Sequence, residues 1–384
     1  MRALVAILAA VLGLAVAAPG IAAKAPAAAA AVTTAYAARA DALIRNHAEA
    51  GRFDGAVLVA KDGKPIFRKA YGQANREWAI PATPETVYRL GSITKQFTAA
   101  AILQLADQGK LKLDDPISRY YPAAPESWAP ITVKHLLTHR SGIPSYTALP
   151  GFFGNPSRQD MKPEAIVALT QDKPLEFTPG SKISYNNTGY VLLGVVIEKA
   201  SSQTYAAYLQ QHIFSPLGMK NTGFDVSETI LPKRAAGYER RGSAVTNAAY
   251  LSMTLPHAAG SLYSTVDDIL AWDVALRAGR SSARPRWPRC SPTTATDTAT
   301  ARASAAAASA ATGAILAAST GSRPSWAATP TIISRSSSWP TSRARIRRAS
   351  PTGWASSTST LRVRPARPRR RPRPNSTAMS AATR

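Results

Sequence analysis

Of the 384 residues, 47 are Lys or Arg and 22 are Asp or Glu, giving a formal net charge of +25, and one is cysteine. The charge is unevenly spread: residues 281–384 hold 18 arginines, no lysine and one acid (Asp297), and they lack Glu, Gln, His, Phe and Tyr, whereas residues 1–280 have a globular mixture with enough apolar side chains for a sizeable core. The single Cys290 excludes a disulfide scaffold and any zinc site built from several thiolates.

The chain opens with an export address. Arg2 supplies the positive end, Ala3 to Val16 the apolar stretch, and small residues at Val16-Ala17-Ala18 or Ile21-Ala22-Ala23 offer cleavage points. Residues 1–23 are therefore read as a signal peptide and 24–36 as an Ala/Pro-rich linker, flexible over Ala25–Ala31. The expected location is periplasmic or secreted, with no integral membrane span once the signal is removed.

Helical spacing of apolar residues starts at Ala35 and runs to Ala48. Gly55–Ala60 and Pro65–Tyr71 read as two strands joined through Asp62-Gly63, a pair that tolerates the positive φ of a tight hairpin turn. Lys95–Leu111 has a broad apolar helical face. Further helices are expected at 133–138, 162–170, 189–200, 205–213 and 265–278. Strands followed by helices make an α+β order, and a lone hairpin needs partners to be stable.

Ser92-Ile93-Thr94-Lys95 is an S-x-x-K pattern opening that apolar helix. One helical turn sets the Ser92 hydroxyl and the Lys95 amine on the same face, with the positive end of the helix beside them. Taken alone, the pattern also describes an N-capping serine followed by a surface lysine. As chemistry, it is a weak nucleophile with a neighbouring base, provided the amine's pKa is lowered. His135 and His139 lie at i and i+4, but no carboxylate accompanies them as a metal signature, so no metal is assigned. His47, His212 and His257 have no partner legible in the sequence.

The run from Arg89 to Leu105, followed by Gly109–Pro116, strongly resembles the active-site helix of the serine β-lactamase and penicillin-binding-protein family, in particular its class C, D-alanyl-D-alanine carboxypeptidase and esterase branch. Ile131–Pro144, Phe177–Tyr190 and Ala259–Asp268 resemble further segments of it in the right order, over about residues 37–280. The resemblance implies a β-lactamase/transpeptidase-like fold, a helical region packed on an antiparallel sheet. It implies Ser92 as nucleophile, Lys95 and Tyr185 as the proton-handling pair and Asn187 as a substrate-binding amide, the last two from the Y-x-N motif Tyr185-Asn186-Asn187. No cofactor is implied. The expected partner is a small molecule or a peptidoglycan-like peptide, with no specific nucleic acid, and the oligomeric state stays open.

Members of the family carry a third motif on a later strand (K-T-G, H-x-G or G-H-G-G), and nothing of that kind can be read after Arg280. Codon-pair constraints over Ala310–Thr320 allow G-H-G-G in an alternative reading frame, and Arg335–Thr341 allows a V-V-V-L-A-N strand. Residues 281–384 are thus read as a low-complexity basic tail from a frame error near 280–282, disordered, and leaving the later strands missing and the first hairpin with an uncovered edge. The expected product is a serine hydrolase acting through an acyl-enzyme on an amide, β-lactam or ester carbonyl, impaired without its third motif. The alternative is an inert secreted protein that binds polyanions through its arginine-rich tail.

Overall fold

The computed structural model describes residues 25–242, 244–278 and 331–335. The expected signal peptide and most of the basic tail lie outside the described residues.

The chain begins with helix α1 (Ala25–Glu49), then the hairpin β1 (Gly55–Lys61) and β2 (Lys64–Tyr71), and the short strands β3 (Gln73–Asn75), β4 (Ile80–Pro81) and β5 (Tyr88–Arg89). A helical turn at Gly91–Ile93 leads into α2 (Thr94–Asp107), followed by α3 (Val133–Leu137), α4 (Pro163–Ala168), α5 (Thr188–Ser201) and α6 (Tyr205–Leu209). The last part holds β6 (Gly223–Phe224), β7 (Tyr238–Arg241), β8 (Ala244–Asn247), α7 (His257–Gly260), β9 (Leu262–Ser264), α8 (Val266–Ala278) and β10 (Thr331–Arg335).

The hairpin forms where the alternation and the turn chemistry place it. β1 and β2 pair antiparallel, and Asp62 and Gly63 take φ of 51° and 77°, which suits a two-residue turn that follows the right-handed twist of the strands. Six of the seven β1 residues are buried, so β1 reads as an apolar run because helices cover it on both faces. Ala56, Leu58 and Ala60 pack with Val266 and Leu270 of α8, while Val57 and Val59 pack with Ala40, Ile44 and Ala48 of α1. Arg68 of β2 ties the sheet to α8 with two bonds to Asp267 (2.9 and 2.6 Å).

The larger core is helical. α2, α3, α5 and α6 bury Phe97, Ile102, Leu105, Leu136, Leu192, Val196 and Leu209, and α8 closes it with Trp272. The Phe97 ring stacks on Trp272 at 4.2 Å and meets Phe214 edge-on at 5.7 Å, offset and T-shaped contacts of the kind aromatic quadrupoles favour. A second antiparallel sheet, ordered β5-β9-β6, contributes Leu262 of β9 to this core.

Two features depart from the sequence reading. The stretch read as a flexible spacer is helical from Ala25 onward, because alanine has the highest helix propensity and the single proline, Pro26, stands in the first turn, where its missing N–H has no partner to lose. The edge of β1 is also not bare: β10 lies against it, parallel, with Val57 opposite Thr331 and Lys61 opposite Arg335. The rest of the late-strand expectation falls outside the described residues.

Candidate active site

Ser92 is set by a turn that glycine permits. Leu90 donates its N–H to the Leu262 carbonyl of β9 (2.7 Å), and Gly91 then adopts φ 53°, in the left-handed region that a side chain disfavours. Leu262 in turn donates to Thr94 Oγ1 (3.2 Å), so a single strand grips the chain on both sides of Ser92. Arg89 adds an anchor, its Nε donating to Asp225 (2.6 Å), a carboxylate only 2% exposed that also faces Arg234 (3.3 Å). As the second residue of the turn, Ser92 keeps its N–H among those with no acceptor inside the helix, at the positive end of α2.

Lys95 follows one turn later and is 2% exposed. Its Nζ lies 3.4 Å from Ser92 Oγ, 2.8 Å from Asn187 Oδ1 and 2.8 Å from the Ala259 carbonyl of α7. Burial lowers its pKa from the usual lysine value, and a contact with Tyr185 opposes that shift. The contact set suits a neutral amine: two carbonyl oxygens take its two N–H groups, and the lone pair is left facing the serine oxygen. The Asn187 amide is oriented from its other end, Nδ2 donating to Thr147 Oγ1 (2.9 Å).

Tyr185 completes the group from a segment more than ninety residues away. Its hydroxyl donates to Ser92 Oγ (2.7 Å), and Lys95 Nζ sits 4.8 Å from the centre of its ring and 5.3 Å from that of Tyr190. In contrast to the lysine, Tyr185 is 54% exposed. Its segment is fastened to residues 139–146: Gly180 and Ser184 donate to the carbonyls of Arg140 and His139 (both 2.8 Å), and Asn187 donates to Ser145 Oγ (3.2 Å). Gly142, at φ 78°, lets these strips touch, since a Cβ there would stand 2.2 Å from the Phe177 carbonyl oxygen.

Ser92, Lys95, Tyr185 and Asn187 are thus brought together as the sequence reading grouped them. His135 spends Nδ1 on the Thr132 N–H (3.2 Å), capping α3. Among the described residues, no group of three or more His, Cys, Asp or Glu side chains is placed to hold a metal ion. The Ala259 carbonyl and the Tyr190 ring are parts of the arrangement that sequence reasoning did not pick out, and His139, weighed there only as a metal ligand, is another. A backbone carbonyl has no side-chain signature, although Ala259 does open one of the segments that resembled the family.

A family model described as Beta-lactamase matches residues 40–373. The chain belongs to the beta-lactamase family. Protein flp of Staphylococcus aureus (strain MW2) is 34% identical over 208 residues, 53% of this chain and 41% of the relative. Among solved structures, the penicillin binding protein from Bacillus halodurans is 30% identical with a TM-score of 0.53, covering 61% of this chain and 72% of its own. D-amino acid amidase from Ochrobactrum anthropi SV3 is 32% identical with a TM-score of 0.50, covering 56% and 61%. This chain spans 41% to 58% of the length of the curated relatives it matches. The family match also runs through most of residues 281–384, the stretch whose composition departs from the rest.

Proposed function

We propose that this protein is an exported serine hydrolase that forms an acyl-enzyme at Ser92 on an amide, β-lactam or ester carbonyl. The observation that carries the reading is the convergence on one hydroxyl oxygen of a buried amine at 3.4 Å and a phenol at 2.7 Å. Ser92 Oγ attacks the carbonyl carbon as its proton passes to the Lys95 lone pair. The oxyanion forms beside the Ser92 N–H at the head of α2. As the tetrahedral adduct collapses, the proton returns through Lys95 and Tyr185 to the leaving nitrogen or oxygen. Water then attacks the ester, with the same pair acting in reverse, and releases the acid and free Ser92. Asn187 keeps Lys95 in place and offers its second amide N–H toward substrate.

The likeness to a penicillin binding protein and to a D-amino acid amidase supports an amide-type carbonyl as the substrate class. No third motif is legible in residues 281–384, and a site without the strand N–H that such a motif brings to the oxyanion loses about 3 kcal/mol of barrier lowering, or 10²-fold to 10³-fold in rate. Labelling of Ser92 is therefore expected to be slow, and turnover slower.

Incubating the full chain with a fluorophosphonate and with a fluorescent penicillin, then weighing the intact protein, tests this. The expected result is a single adduct that peptide mapping places on Ser92 and that Ser92→Ala abolishes. An adduct that survives Ser92→Ala, or none on the wild-type chain with either reagent, overturns the reading. The charge of residues 281–384 supports a second reading, an inert polyanion binder; salt-dependent heparin retention, lost on removing those residues and combined with no adduct, favours it.

A further inference from the structure

Of the groups that meet Ser92 Oγ, Lys95 is held by burial and by its bonds to Asn187 Oδ1 and the Ala259 carbonyl, whereas Tyr185 is more than half exposed. An exposed tyrosine keeps rotamer freedom, and a phenol that swings by an ångström no longer meets the serine. Something other than burial must hold it at 2.7 Å. The residue placed to do so is His139.

His139 touches the Tyr185 segment in three ways. Its carbonyl accepts the Ser184 N–H (2.8 Å) and its Nδ1 accepts the Asn186 N–H (3.2 Å), so the backbone is tied on both sides of Tyr185 by one residue. Its ring lies 4.8 Å from the Tyr185 ring, tilted by 36°, and 5.0 Å from the Tyr190 ring, tilted by 34°. An Nδ1 that accepts a hydrogen bond carries no proton, which fixes the Nε2–H tautomer. Burial, with Lys95 close by, moves the imidazole pKa down to about 3, so the ring stays uncharged beside the amine. The residue also takes φ 57°, a left-handed bend at the end of α3 that turns the chain toward residues 184–186.

We propose that His139 is a positioning residue for Tyr185: it pins the backbone at Ser184 and Asn186 and backs the phenol ring, so that the hydroxyl stays on Ser92 Oγ. The inference rests on the acyl-enzyme reading above and deepens it. His139 touches no reacting atom. Its effect passes entirely through Tyr185, and that route separates it from a merely structural histidine.

The test is a double-mutant cycle on the rate at which a fluorophosphonate labels Ser92 in the full chain. His139→Asn keeps an acceptor and tolerates the left-handed bend but removes the ring, whereas His139→Phe keeps a ring and removes the acceptor. Each is expected to slow the maximal labelling rate on the order of 10-fold to 100-fold, with the half-saturating reagent concentration within about 2-fold of wild type. In a Tyr185→Phe background, the same changes are expected to cost less than about 3-fold, because the group they position is gone. Losses that multiply in full in both backgrounds, or a His139→Asn chain that labels at the wild-type rate, overturn the proposal. Should neither variant fold, the wild-type imidazole decides: nitrogen NMR of labelled histidine must find Nδ1 unprotonated, and an Nδ1–H tautomer overturns the assignment. A wild-type chain with no label on Ser92 overturns the hydrolase reading itself and this inference with it.

Discussion

Replacing Lys95 by methionine separates what the amine contributes to reaction from what its burial costs the fold. If the folded state holds Lys95 neutral, the unfolded chain binds one proton more than the folded chain at every pH between the lowered folded pKa and the model-peptide value near 10.5. A group whose protonated form is disfavoured by folding makes stability rise with pH over that window, at about 1.4 kcal/mol per pH unit for one whole proton. Lys95→Met abolishes that slope while conserving most of the volume. It also leaves Asn187 Oδ1 and the Ala259 carbonyl each short of a donor, about 1–3 kcal/mol apiece in a buried place. The variant is therefore expected to be flatter in pH, and closer to wild type in stability at pH 7.5 than at pH 9.5. Urea unfolding of both chains at three pH values in that interval gives the two slopes, and Ser92 labelling in the variant is expected to fall by about 10² to 10⁴. Parallel slopes mean that Lys95 keeps its proton in the folded state, and the lone-pair argument fails with them.

Other perturbations probe the parts that hold the site. Asn187→Asp places a carboxylate 2.8 Å from Lys95 Nζ and favours the ammonium, so the pH profile of Ser92 labelling is expected to move to higher pH; an unmoved profile contradicts Lys95 as the base. Gly142→Ala puts a Cβ 2.2 Å from the Phe177 oxygen at positive φ, and a loss of about 2–4 kcal/mol in denaturant unfolding is expected. Asp225→Ala leaves Arg89 without its partner near the Ser92 turn. It is expected to cost about 3–5 kcal/mol and to slow labelling, and a stable variant that labels normally shows that β9 alone sets the turn.

How far the fold is legible in the sequence depends on whether its cause is local. The β1–β2 hairpin follows from alternation plus Asp62-Gly63, and α2, α5 and α8 follow from apolar spacing, because these are satisfied within about fifteen residues. The grouping of Ser92 and Lys95 is likewise a helical-turn argument, while Tyr185 and Asn187 came only through family likeness, since nothing local connects them to a site some ninety residues earlier. His139 was weighed as a metal ligand because its i, i+4 partner His135 is visible in sequence, whereas the Asn186 N–H and Tyr185 ring that occupy it are not. The same limit hides β10: a five-residue strand of Thr, Ile, Ser and Arg inside a basic stretch carries no periodic signal that points to β1.

The sandwiching of β1 between α1 and α8 has a consequence for synthesis. The helix that covers its Ala56–Leu58–Ala60 face emerges about 200 residues after the strand does, so at roughly 5–20 residues per second a ribosome leaves that greasy side bare for some 10–40 s. During that time the nascent chain is a substrate for holding factors and for mispairing with its neighbours on a polysome.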